Sequence, residues 1–99
     1  MIDAVNRLPE QAVHLTLYGD LASFPDYAAR LQEMTQESRT TLAGSLPRAD
    51  LWNALADLDL LVLPSLWYET SSLVLDEAFA AGLPVIVSNI GVLAEKVTD

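Results

Sequence analysis

An α/β domain built on a parallel sheet is the fold that this sequence predicts, and three observations carry the expectation. Helical and strand periodicities alternate along the whole chain. Two apolar runs, at 60–63 and 84–88, are short and continuous, as strands covered on both faces of a parallel sheet would be. The stretches between strands are too short to reverse direction except through a helix, which calls for right-handed crossovers.

The elements follow in order. Ile2, Val5 and Leu8 form a short helical stripe that stops at Pro9. Val13, Leu15 and Leu17 then alternate with His14, Thr16 and Tyr18, the period of a strand, broken at Gly19 and Asp20. Ser23 and Asp26 have capping-box spacing, and Phe24, Tyr27, Ala28, Leu31 and Met34 continue at helical intervals. A strand over 40–43 ends at Gly44. From about Pro47 a helix carries Leu51, Trp52 and Leu55 on one face, Trp52 being expected to pack in the core. The strand at 60–63 stops at Pro64. Residues 73–81 read as a helix, with Ser71 or Ser72 to cap it and Gly82 as a left-handed stop. The strand at 84–88 follows, and 93–97 supply a last helical turn or two.

Composition narrows the function. The chain has 99 residues, enough for one small domain at most, and 52% of them are apolar. Fourteen acidic against five basic residues give a net charge of -9, which argues against nucleic acid or an anionic membrane surface as partner. Without cysteine there is neither a disulfide framework nor a thiolate metal site, and one histidine cannot make a histidine-rich zinc site. The longest apolar run, 78–87, is about half the roughly 20 residues of a membrane span. No basic stretch precedes an apolar core at the amino end, so no secretory signal is visible. A soluble, cytoplasmic protein is the expectation.

Residues 64–78 carry the chemistry. They run from the end of a central strand into a helix, and the crevice beyond the carboxyl ends of strands is where open α/β sheets bind ligands. Glu69 sits in that loop. Thr70, Ser71 and Ser72 are small, so backbone amides at the helix start can approach an anion. Glu77 falls in an otherwise apolar helix and must reach solvent, a donor or a ligand. For such a residue solvent exposure outweighs a ligand role by about three to one. Asp76 fits the solvated reading better still. Carboxylates suit sugar or ribose hydroxyls, because each ionised oxygen accepts two hydrogen bonds.

Glu69 and Glu77 are separated by seven residues, and Ala78-Phe79-Ala80-Ala81-Gly82-Leu83-Pro84-Val85-Ile86-Val87-Ser88 follows. This resembles the E-x7-E signature and the ensuing run of retaining glycosyltransferases with the GT-B fold, the family-4 (group 1) class. Leu15-Thr16-Leu17-Tyr18-Gly19-Asp20 is similar to that family's L-x-I-Y-G-D-G strand and turn. Thr41-Leu42-Ala43-Gly44-Ser45-Leu46 is similar to its next strand, and Asp57-Leu58-Asp59-Leu60-Leu61-Val62-Leu63-Pro64-Ser65 to its central one. Residues 91–97 resemble a downstream glycine-glutamate motif. Each piece is weak, but the ordered set covers nearly all 99 positions.

The resemblance implies a Rossmann-like three-layer parallel sheet, incomplete, with about four strands. Residues 1–99 would be part of the carboxyl-terminal, donor-binding domain, inactive alone. Glu69 would contact the donor sugar as the catalytic residue, and Glu77 the ribose hydroxyls. The amides of Ser72, Leu73 and Val74 would lie near the sugar and phosphates, while Gly44 and Leu46 would flank the base. The implied reaction is transfer of a hexosyl group from a nucleoside-diphosphate sugar, such as a UDP- or GDP-hexose, to an acceptor hydroxyl. Configuration would be retained, with no metal and no further cofactor. The acceptor would be a glycan or glycolipid reached through an amino-terminal domain, in polysaccharide or glycolipid synthesis. The parent enzyme would be cytoplasmic or membrane-peripheral.

Some residues depart from the pattern. Thr70, Ser71 and Ser72 stand where glycines are common, Val92 where a second glycine is, and Leu21 follows Asp20 in place of glycine. The family's first strand and its Arg/Lys pair for the diphosphate are not matched. Of Arg7, Arg30, Arg39, Arg48 and Lys96, only Arg48 falls near a strand exit, and a solvated helix-start role is favoured about two to one. The implied strand order is 3-2-1-4-5-6, of which this chain supplies the second to fifth. The strands at Leu15 and Leu61 would then each lack a central neighbour, which predicts either direct pairing of the two or an oligomer, with strand exchange at the exposed edges.

Other residues carry blander expectations. His14 has no nucleophile beside it and reads as a satisfied or surface histidine. Trp67 and Tyr68 either shape a sugar pocket or plug the strand ends. Ser65 lacks a G-x-S-x-G context. Competing readings are another GT-B relative, such as a sugar-nucleotide epimerase or a glycogen-synthase-type enzyme, and a non-catalytic α/β association module.

Overall fold

The structure, a computed structural model, describes residues 1–9, 12–68 and 71–97. Its elements are α1 (Ile2–Asn6), β1 (Leu15–Tyr18), α2 (Pro25–Met34), β2 (Thr40–Gly44), α3 (Leu51–Ala56), β3 (Leu61–Leu63), α4 (Leu73–Ala80), β4 (Val85–Val87) and α5 (Gly91–Lys96). The chain is α/β, and short parallel strand pairs alternate with helices as the sequence predicts. β1 pairs with β2, and β3 with β4. Each ladder is parallel and joins strands that the implied order sets side by side. Direct pairing of the Leu15 strand with the Leu61 strand, one of the expected arrangements, is not among the described ladders. The described ladders each join two strands through a single crossover helix, α2 between β1 and β2 and α4 between β3 and β4. The fold divides into two compact units, Met1–Arg48 and Ala49–Asp99.

In the first unit Leu15, Thr16 and Leu17 register with Thr40, Thr41 and Leu42, and an irregularity then brings Tyr18 opposite Gly44. Gly44 has φ of 74°, the left-handed region in which a side chain is strained. The core is small: Ile2, Val5, Ala28 and Thr40 are buried. Helix α1 packs against α2, and the Asn6 side-chain amide donates to the Met34 carbonyl at 2.9 Å. Arg39 completes α1's carboxyl end. Its Nη1 donates to the carbonyls of Val5 (3.0 Å), Asn6 (3.3 Å) and Leu8 (2.7 Å), where a cation also meets the negative end of the helix dipole.

Three local expectations for this unit are corrected. Val13 lies outside the strand, and Leu8 outside the first helix, and both are exposed. The capping box does not form, because α2 begins at Pro25 after Phe24. Proline suits the first helical position, where an N–H has no intrahelical acceptor. Ser23 is engaged elsewhere: the Asp20 carboxylate accepts from the N–H groups of Ala22 (2.9 Å) and Ser23 (3.1 Å) and from the Ser23 hydroxyl. Those bonds, the hydroxyl's first, hold the Asp20 carboxyl below the ordinary aspartate range. His14 meets Thr41 instead of a catalytic partner, with 2.8 Å between Nε2 and Oγ1.

In the second unit Leu61, Val62 and Leu63 register with Val85, Ile86 and Val87. The buried set is Leu51 and Leu55 on α3, Leu75, Glu77 and Ala78 on α4, Leu93 on α5, and Ser72. Leu51 and Leu55 lie four apart and so share a helix face. Trp52, expected beside them, is 52% exposed, because a single step along a helix turns the side chain about 100° away. Neither strand is buried on both faces: β3 is half-buried throughout and Ile86 is exposed. Apolarity alone does not say how many layers cover a strand.

Candidate functional site

The predicted site starts where α4 starts. Ser72 is the N-cap, with extended backbone, and its hydroxyl accepts from the Leu75 N–H at 3.4 Å. The Ser72 carbonyl takes the next amide, that of Asp76, at 3.2 Å. The N–H groups of Leu73 and Val74, in the first turn, have no intrahelical acceptor by position and carry the positive end of the helix dipole. Leu73 is 60% exposed and Val74 half-buried, so this turn borders solvent while the next is enclosed. Leu75 and Ala78 are fully buried and fix the helix from beneath.

The other end of α4 is closed as firmly. Gly82 has φ of 75°, its N–H donates to the Phe79 carbonyl and the Leu83 N–H to the Ala78 carbonyl, both at 3.0 Å. That pair of bonds is the Schellman arrangement, and Pro84 directly after it cannot extend the helix. A helix held at both ends presents its side chains in a defined register.

Glu77 is buried at 7% exposure, against the odds that favoured solvent. One position earlier, Asp76 turns outward and receives Lys96 Nζ at 2.9 and 3.0 Å from its two oxygens, tying α5 to α4. The two neighbouring carboxylates thus divide into one enclosed and one solvated and paired. Glu69 and Thr70 lie outside the described residues.

The structure therefore brings Ser72, Leu73, Val74 and Glu77 together on the first turns of one helix. Gly44 and Leu46 belong to the first unit, at the carboxyl end of β2, where both are half-buried. Leu66, Trp67 and Tyr68 follow β3 and are exposed, so they do not plug the strand ends. One contact there escaped the sequence. The Tyr68 ring lies on Gly91, the first residue of α5: a Cβ built on Gly91 would come 2.7 Å from Tyr68 Cδ1. Only the glycine and the downstream motif were visible beforehand.

Among the described residues no group of three His, Cys, Asp or Glu side chains could hold a metal ion. No helix among them is long and apolar enough to cross a membrane. A family profile described as glycosyl transferases group 1 matches residues 1–99. No curated protein and no solved structure matches the chain.

Proposed function

Because the chain belongs to the group 1 glycosyltransferases, we infer that its second unit carries the nucleotide-sugar contacts of a retaining enzyme with the GT-B fold. One observation carries the reading: an enclosed carboxylate, Glu77, one turn beyond a capped helix start that borders solvent at Leu73. An ionised carboxylate accepts several hydrogen bonds, and the vicinal hydroxyls of a ribose are donors of the right kind. The amides of Leu73 and Val74, with Ser72, suit the diphosphate.

The chemistry is hexosyl transfer. The bond between the anomeric carbon and the diphosphate breaks, the acceptor oxygen bonds to that carbon on the same face, and the acceptor proton leaves. Glu69 contacts the sugar where positive charge develops, and the helix amides stabilise the departing diphosphate. The second unit is itself strongly acidic, with eight carboxylate side chains against the single cation Lys96, which Asp76 already engages. A helix start supplies about 0.3–1 kcal/mol toward an anion, so this unit holds a diphosphate weakly unless other cations assist. Glycan or glycolipid acceptors fit the reading, as does a cytoplasmic site of synthesis.

Glu77→Gln tests the reading because it keeps shape and removes charge. Donor KM should rise about tenfold, with the fold and thermal midpoint retained. Unchanged donor KM and turnover would remove Glu77 from the site.

A further inference from the structure

We propose that the joint where α1, α2 and β2 meet is a binding site for an ordered internal water, held by Thr40 Oγ1, Asn6 Oδ1 and Arg39 Nε.

Those three side-chain atoms are buried in the first unit and have no hydrogen-bond partner in the protein. Thr40 is the extreme case, at 2% exposure and on the first residue of β2. A buried polar atom left unmet lowers the folded population about fivefold to a hundredfold, so three in one small unit call for a partner.

The bonds that these residues do make place them at one joint. The Arg39 guanidinium lies against the end of α1, with Nη1 3.0 Å from the Val5 carbonyl and 3.3 Å from that of Asn6. The Asn6 side-chain amide donates to the carbonyl of Met34, the last residue of α2, at 2.9 Å. That bond fixes the amide's orientation and leaves Oδ1 as the orphan. Arg39 and Thr40 are neighbours in the chain, and both their N–H groups donate to the Gln36 carbonyl, at 2.8 and 2.9 Å.

The chemistry of the three atoms selects the ligand. Asn6 Oδ1 only accepts, the Arg39 Nε–H only donates, and the Thr40 hydroxyl does either. An anion would face the Asn6 oxygen, and a cation would face the guanidinium. A neutral molecule that both donates and accepts satisfies the set, and water is the smallest of these. It donates to Asn6 Oδ1 and Thr40 Oγ1 and accepts from Arg39 Nε. Buried waters make about three such bonds and occur about once per 27 residues, so one water suits a unit spanning Met1–Arg48.

The test uses the full chain. Thr40→Val keeps the side chain's shape and removes the hydroxyl. An unmet hydroxyl would make valine equal to threonine or better, whereas a hydroxyl bonded to water makes it worse. In urea unfolding Thr40→Val should lower the folded-to-unfolded ratio about three- to tenfold, with the slope unchanged. In nitrogen-edited NMR, water should give a persistent cross-peak to the Arg39 Nε–H and the Asn6 side-chain amide. That cross-peak should weaken at least about twofold in Thr40→Val, where one of three partners is gone, and remain in Thr40→Ser, which keeps a hydroxyl. Wild-type or greater stability in Thr40→Val overturns the proposal, as does a wild-type chain without the cross-peak. A cross-peak equally strong in Thr40→Val, or lost in Thr40→Ser, overturns it as well.

Discussion

Two glycines with the same backbone requirement and different surroundings allow a controlled stability experiment. Gly82 and Gly91 have φ of 75° and 51°, but only Gly91 faces a side chain within 4 Å. Alanine at either position places a Cβ in the left-handed region, at about 1–2 kcal/mol. At Gly82 nothing else is added, so Gly82→Ala should cost about that much, a drop of roughly 4–16 °C in Tm for a domain of this size. At Gly91 the new methyl meets Tyr68 Cδ1 at 2.7 Å, and because that ring is 80% exposed and can turn into solvent, displacing it should add about 1 kcal/mol, the low end of the overpacking range. Thermal and urea unfolding of both variants, each alone and with Tyr68→Ala, measures the surplus. The surplus should vanish in the Tyr68→Ala background, where Gly91→Ala and Gly82→Ala become alike. Equal losses with Tyr68 intact, or a surplus that persists without the ring, would refute the assignment of the contact.

The remaining predictions concern the helix, the turn and the core. Ser72→Ala should destabilise by about 1 kcal/mol through the lost cap, and Ser72→Asp should retain most of the stability in urea titrations. Leu75→Ala empties a fully buried position and should cost about 2–5 kcal/mol, seen as an earlier urea midpoint with little change in slope. The Asp20 carboxyl should titrate below the ordinary aspartate range by carbon NMR and move back toward it in Ser23→Ala. Because its pKa is depressed in the folded state, any stability it contributes is present above the ordinary aspartate pKa and lost as pH falls through the depressed value. A plateau in that range, with no response to Ser23→Ala, would disprove the turn's role.

Much of the fold was legible because its signals are local. The Ser72 cap, the Gly82 stop and Pro84 beyond it are set by backbone chemistry that neighbours in sequence supply. The ladders followed from alternation, since a helix between two short strands leaves parallel pairing as the natural result. What failed depended on competition or on distant partners. Ser23 had the spacing for a cap, but Asp20 takes its hydroxyl and Pro25 already supplies a helix start. Trp52 and Ile86 looked like core from their apolarity, yet lie on outward positions of elements with only one covered side. Glu77 is the instructive case at the site. Composition argued for solvent, whereas Glu77 is buried on a helix whose Leu75 and Ala78 are buried too, and only the spacing from Glu69 pointed inward. The Tyr68 contact with Gly91 joins residues 23 apart, and no periodicity reports it.

The central claim is that the start of α4 and the enclosed Glu77 bind a nucleoside-diphosphate sugar. Its most direct test is an amide NMR titration with UDP, GDP and ADP and their hexose conjugates. The account predicts shifts concentrated at Ser72, Leu73, Val74 and Glu77, saturating in the millimolar range and weakened by Glu77→Gln. Shifts spread evenly over the chain, or none at millimolar nucleotide, would contradict it.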